Sequence, residues 1–117
     1  MSRIVEIGSQ NYTKVVCLDE PGEGGACHEY QVQNVLDFGV YEDIVFQKGP
    51  IKESEPNGIF MEDLLVICVD RLQHFQKGDF ACRENALALT KIQEAMHWLK
   101  HRTEDRNRRG VEGTSNK

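Results

Sequence analysis

Arg102 and Arg106 stand four residues apart in a stretch without Gly or Pro, so on a helix they share one face. Two planar guanidiniums at that spacing can close on one phosphate or on two linked phosphates. The plainer alternative is a basic helix end, where each cation gains a few tenths to about 1 kcal/mol from the macrodipole. Phe75 sits near the end of an earlier helical run, where it serves either as core or as a platform for a flat ring. Asn85 shares a face with Ala81, Ala88 and Ile92, which brings an amide to a partly buried position. There it needs a partner, either the turn at Gly78 or a ligand, because an unpaired buried amide costs roughly 1–3 kcal/mol. Beyond the helix, residues 108–114 read RRGVEGT. The two glycines let backbone amides converge on an anion beside Arg109; the simpler account is a helix cap at Gly110 and a loose tail.

Other chemistries find less support. His74, His97 and His101 belong to no Ser-His-Asp, HExxH or paired-carboxylate pattern, so a binding protein is expected rather than an enzyme. Cys17, Cys27, Cys68 and Cys82 show neither CxxC nor Cys/His ligand spacing. They read as reduced thiols in a cytoplasmic protein, with no metal and no cofactor expected. Cys27 and His28 are adjacent, and in a strand adjacent side chains point to opposite faces.

The elements that must position these residues fall into an α+β arrangement. Residues 3–7 give a weak strand, and TKVVCL from Thr13 a stronger, β-branched one. Residues 19–26, DEPGEGGA, must turn the chain. Residues 28–36 alternate as a half-buried strand, a turn is expected at Asp37, Phe38 and Gly39, and residues 40–47 supply another strand. The first fifty residues therefore predict a small antiparallel sheet. From Asn57, expected as a cap, the period lengthens to about 3.6. Glu62 and Asp63 suit a first turn, while Leu64, Ile67, Cys68, Leu72 and Phe75 form one apolar stripe. Gly78 is the expected stop. After a turn of two or three residues a second helix carries Ala81, Ala88, Ile92, Ala95, Met96 and Leu99, with a parallel row at Leu89, Ile92, Met96 and Leu99. Residues 57–109 thus predict an antiparallel helical hairpin whose apolar faces lie against each other and against the sheet, and residues 110–117 a tail. Its second helix, roughly 40 Å long at 1.5 Å per residue, exceeds the width of so small a domain, so its far end should project or meet another subunit.

At 117 residues the chain is expected to be a single domain with a small core, in which subunit burial makes up part of the missing interior. Its net charge is −5, yet residues 100–109 carry five Lys/Arg against two acidic groups. That balance argues against coating a nucleic-acid polymer and leaves room for a local phosphate site. The longest apolar run, residues 64–69, is too short to span a bilayer, so no membrane association is expected.

The block FACRENALALTKIQEAMHWLKHRT, followed by RRGVEGT and preceded by FQKGPIKE, NGI and DRLQ, is specific enough to place. Residues 46–114 resemble the phage-encoded Thoeris anti-defence family, whose helical hairpin is related to that of the phage anti-CBASS sponge proteins. The β-rich amino-terminal half resembles the Thoeris type. The resemblance implies a sponge in the host bacterial cytoplasm. It would bind cyclic ADP-ribose isomers made by TIR proteins without cleaving them, in pockets between subunits of a homo-oligomer, a dimer that joins into a hexamer as a trimer of dimers. It also implies roles: Phe75 stacks on adenine, Asn85 makes a polar contact, and Arg102 and Arg106 hold the pyrophosphate. A separate cyclic oligonucleotide site is implied near Arg109, Gly110, Val111 and Thr114. The alternatives are a sponge chiefly for cyclic di- or trinucleotides, a hydrolase of such signals acting through His74 or His101, and a DNA-binding regulator using the basic helix end.

Overall fold

The structure, a computed structural model, describes residues 2–8, 11–37 and 39–117. It divides into two compact units, Met1–Ile59 and Phe60–Lys117.

The first unit is an antiparallel meander of four strands in sequence order: β1 (Arg3–Ile4), β2 (Thr13–Cys17), β3 (Glu29–Asn34) and β4 (Val40–Val45). β1 is shorter than expected, although Val5 still donates its amide to Val15 O at 2.9 Å. Ser9, Gln10 and the predicted turn residue Phe38 lie outside the described residues. The glycine-rich connection between β2 and β3 closes through one 3-10 turn, Glu23–Gly25, in which Gly24 and Gly25 take the left-handed conformation open to them. The β3–β4 ladder slips at Val32/Gln33, a bulge that local periodicity does not reveal.

The interior of this unit is small. Val16 and Cys17 are its buried apolar residues among those described, with His28 beside them. Tyr30 and Phe46 meet edge to face at 5.8 Å, and Lys48 pairs with Glu29 at 2.7 Å. After β4 the chain loops out and returns, so that Phe46 and Ile59 form a parallel bridge. Asn57 holds this loop: its side chain accepts from Lys48 N at 2.7 Å and donates to Lys48 O at 2.9 Å. Asn57 is therefore not the helix cap. The amide that would have served as a cap is committed to the loop.

The second unit is a hairpin of α1 (Met61–Gln76) and α2 (Arg83–Arg108). α1 starts where Asp63, in its first turn, accepts from Phe60 N at 2.8 Å. It ends one residue before Lys77, and Gly78 does not use left-handed backbone. The connection is longer than expected, residues 77–82, and a side chain fastens it. Gln76 Nε2 donates to Cys82 O and Gln76 Oε1 accepts from Cys82 N, both at 3.1 Å. Cys82 then caps α2 by accepting from Asn85 N at 3.4 Å.

The α1 face is rotated from the expected one, while α2 shields the expected row of Leu89, Ile92, Met96 and Leu99. Leu64, Leu65, Val69, Leu72 and Phe75 are half-buried on α1, while Ile67 is 62% exposed and Cys68 is exposed. Residues 64–69 are apolar throughout, so their periodicity does not fix which side turns inward. On α2 the shielded row is Asn85, Leu89, Ile92, Met96, Leu99, Thr103 and Arg106; Ala88 and Ala95 face outward, and Ala81 lies exposed in the connection before the helix. Within this unit no described residue is fully buried, and Met61, Val66, Ile67, Leu87 and Trp98 stand exposed. Among the described residues no helix is long and apolar enough to cross a membrane.

Candidate functional site

α2 runs unbroken for 26 residues because Ala, Leu, Gln, Glu, Lys and Arg dominate it. It ends in a full glycine cap: Gly110 at φ +71°, Gly110 N donating to Asn107 O, and Val111 N donating to Arg106 O, both near 3 Å. The chain then doubles back, and residues 111–114 are half-buried rather than loose.

The folded tail closes on Arg106, whose side chain is 11% exposed. Its Nε donates to Glu112 Oε1 at 2.9 Å, and its Nη2 donates to the carbonyls of Val111 at 2.9 Å and Thr114 at 3.1 Å. The Thr114 hydroxyl also donates to Val111 O. Arg102, one turn earlier on the same face, is exposed and makes no hydrogen bond or ion pair among the described residues. The pair thus consists of one fixed guanidinium and one free one.

The concavity expected of the two glycines has the opposite polarity. The amides of Gly110, Val111 and Thr114 donate within the chain, and it is carbonyls that converge, upon a cation. Arg109 is turned to Asp105 at 3.1 Å. In this arrangement the tail holds Arg106, and the amides of Gly110, Val111 and Thr114 are already used within the chain.

Phe75 and Asn85 lie at the other end of the hairpin. Phe75 is half-buried, and the Arg71 guanidinium sits 5.1 Å from its ring centroid. Asn85 donates to Phe80 O at 3.4 Å, within the connecting turn but not at Gly78. Its side-chain oxygen has no donor among the described residues. Seventeen residues of helix separate Asn85 from Arg102, about 26 Å at 1.5 Å per residue. A single chain therefore does not bring the four residues together.

Among the described residues, His74, His97 and His101 share no hydrogen bond or ion pair with a thiol or hydroxyl nucleophile. His74 pairs with Asp70 at 3.7 Å with both side chains exposed, and His97 and His101 flank Trp98 edge to face. Sequence reasoning missed Arg71 and Glu112. Arg71 was detectable from its spacing of four to Phe75. Glu112 was not, because only the reversal at Gly110 brings it back to Arg106.

Residues 39–104 match the Acb2/Tad1 hairpin domain. The chain is also 45% identical over 96 residues to Thoeris anti-defense 1 of Bacillus phage SBSphiJ7, a match covering 82% of this chain and 66% of that relative.

Proposed function

Because this chain belongs to the Acb2/Tad1 hairpin-domain family, we propose that it is a phage anti-defence sponge that binds a cyclic ADP-ribose isomer without cleaving it. The observation that carries this reading is the division of the four candidate residues between the two ends of one hairpin. A ligand of nucleotide size does not span that distance, which supports a pocket assembled from two chains. One protomer supplies Phe75 and Asn85, and its partner supplies Arg102 and Arg106.

Each group has a distinct task. The Phe75 ring stacks on the adenine, which is worth about 1–3 kcal/mol. Asn85 offers its unoccupied amide oxygen to a base or ribose donor. Arg102 swings onto the pyrophosphate, and Arg106, already held by three acceptors, presents its remaining donors without further ordering. Sequestration follows from enclosure: a ligand closed between subunits leaves slowly. The exposed apolar residues of both helices supply the surface for a homo-oligomer, and the protein would act in the cytoplasm of the infected host.

Complementation between inactive variants tests this reading. Phe75→Ala chains and Arg102→Ala chains, each unable to hold the ligand, are co-expressed with different tags and co-purified. A two-chain pocket predicts that the mixed oligomer regains capture of cyclic ADP-ribose, since some pockets receive both intact halves. Mixed oligomers that bind nothing would exclude the division of labour.

A further inference from the structure

The loop joining β2 to β3 brings three metal-binding side chains to one point in the amino-terminal unit. The sulfurs of Cys17 and Cys27 and a carboxylate oxygen of Asp19 lie within 4.8 Å of one another. The geometry points to a site for one soft divalent cation of the zinc class, held by the thiolates of Cys17 and Cys27 and the carboxylate of Asp19, with a water in the fourth position.

The donor set suits such an ion, because thiolates select zinc over magnesium or calcium and a carboxylate completes many zinc sites. Tetrahedral zinc with bonds of about 2.3 Å to sulfur places two sulfurs about 3.8 Å apart. Closing the cluster therefore needs movement of about 1 Å or less. Asp19 is already oriented: Oδ1 accepts from Glu29 N at 3.2 Å and Oδ2 from His28 N at 3.0 Å, the supporting hydrogen bonds that fix ligating carboxylates. The Cys17 thiol donates toward the same carboxylate at 3.6 Å, so the metal would replace a proton along an existing line of contact.

Charge also balances. Two thiolates and a carboxylate carry −3, the ion brings +2, and the Arg3 guanidinium, 3.7 Å from the Cys27 sulfur, supplies the last positive charge. Both thiol protons pass to solvent as the two metal–sulfur bonds form.

Accessibility and need agree with this assignment. Cys17 is fully buried, while Asp19 and Cys27 are half-buried, so the ion enters from the loop side. Few apolar residues are buried in this unit, and small cores often depend on a metal clip. Here the clip would pin both ends of the glycine-rich loop.

The test titrates the reduced full-length protein with cobalt(II) chloride alone and then with zinc chloride. The expected result is a sulfur-to-cobalt charge-transfer band with tetrahedral visible absorption, saturating at about one ion per chain and erased by zinc. Cys27→Ser should abolish the band, Asp19→Asn should weaken binding at least about tenfold, and Cys68→Ser/Cys82→Ser should change nothing. Cys17→Ser is read only alongside circular dichroism because that thiol is buried; the half-exposed Cys27 carries the test. Absence of a thiolate band, or a band that survives Cys27→Ser, would overturn the site.

Discussion

Arg106 and Glu112 meet at 2.9 Å across the end of α2, so this shielded helix-end cation carries its own counter-ion. Glu112 has no part in the helix; the glycine reversal returns it to Arg106. On the proposed reading, a ligand pyrophosphate would share Arg106 with that carboxylate or displace it. Since Val111 O and Thr114 O also hold the guanidinium, removing the charge of Glu112 should leave Arg106 in place. Glu112→Gln is therefore expected to tighten ligand binding by about 1 kcal/mol, roughly fivefold, in titration calorimetry at low salt. Weaker binding would show that Glu112 positions Arg106 rather than competing for it.

The two arginines should separate in a thermal melt. Arg102 has no partner among the described residues, so Arg102→Ala is expected to leave stability within about 0.5 kcal/mol while weakening ligand binding roughly ten- to a hundredfold, the value of charged hydrogen bonds. Arg106→Ala loses both, because Glu112 and two carbonyls are left without their donor. Its destabilisation should be about 1–3 kcal/mol in the absence of ligand. Equal melts for the two variants would contradict the tail contacts.

Gly58 marks a backbone approach that admits no side chain. A Cβ there would lie 2.5 Å from the carbonyl carbon of Phe46 and 2.5 Å from Val45 O. Gly58→Ala should break the Phe46–Ile59 bridge and cost about 1–3 kcal/mol or more in chemical denaturation, since backbone cannot move aside as a flexible side chain can. A melt unchanged by this substitution would mean that the return of the chain after β4 is misplaced.

Acid should loosen the amino-terminal unit through Asp19. Burial pushes its carboxyl up, but amides of His28 and Glu29 and the Cys17 thiol outweigh that and hold it below its ordinary value of 3.8. A lowered folded value means the charged form is favoured on folding, so the contribution is present above 3.8 and lost as pH falls through the lower folded value. Asp19→Asn should flatten that part of the acid-denaturation profile. An identical profile in the variant would assign the acid sensitivity elsewhere.

Much of this was legible in the chain, and what was not has identifiable causes. Strand alternation and turn residues located the sheet, because period two and glycine-rich breaks are local signals. The rotation of α1 was not legible: with residues 64–69 all apolar, only contact with α2 decides that Leu65 and Val69 turn inward while Ile67 stays exposed. Asn57 offered two chemically equal uses, a helix cap or a loop clamp, and only the proximity of Lys48 selects the second. At the site, the spacing of Arg102 and Arg106 was visible. The tail that makes one fixed and the other free depends on a reversal beyond the helix, which spacing does not encode. The cluster of Cys17, Asp19 and Cys27 escaped for a similar reason: its spacing follows no common ligand motif, and a glycine loop assembles it.

A sponge captures its ligand and does no chemistry on it. Purified protein is incubated with each cyclic ADP-ribose isomer, freed of unbound ligand, heated to denaturation, and the released material is separated by chromatography. At least one isomer should come back chemically intact, and Arg102→Ala should retain far less of it. Recovery of linear ADP-ribose or another altered product, or retention of none of the isomers, would contradict the sponge reading.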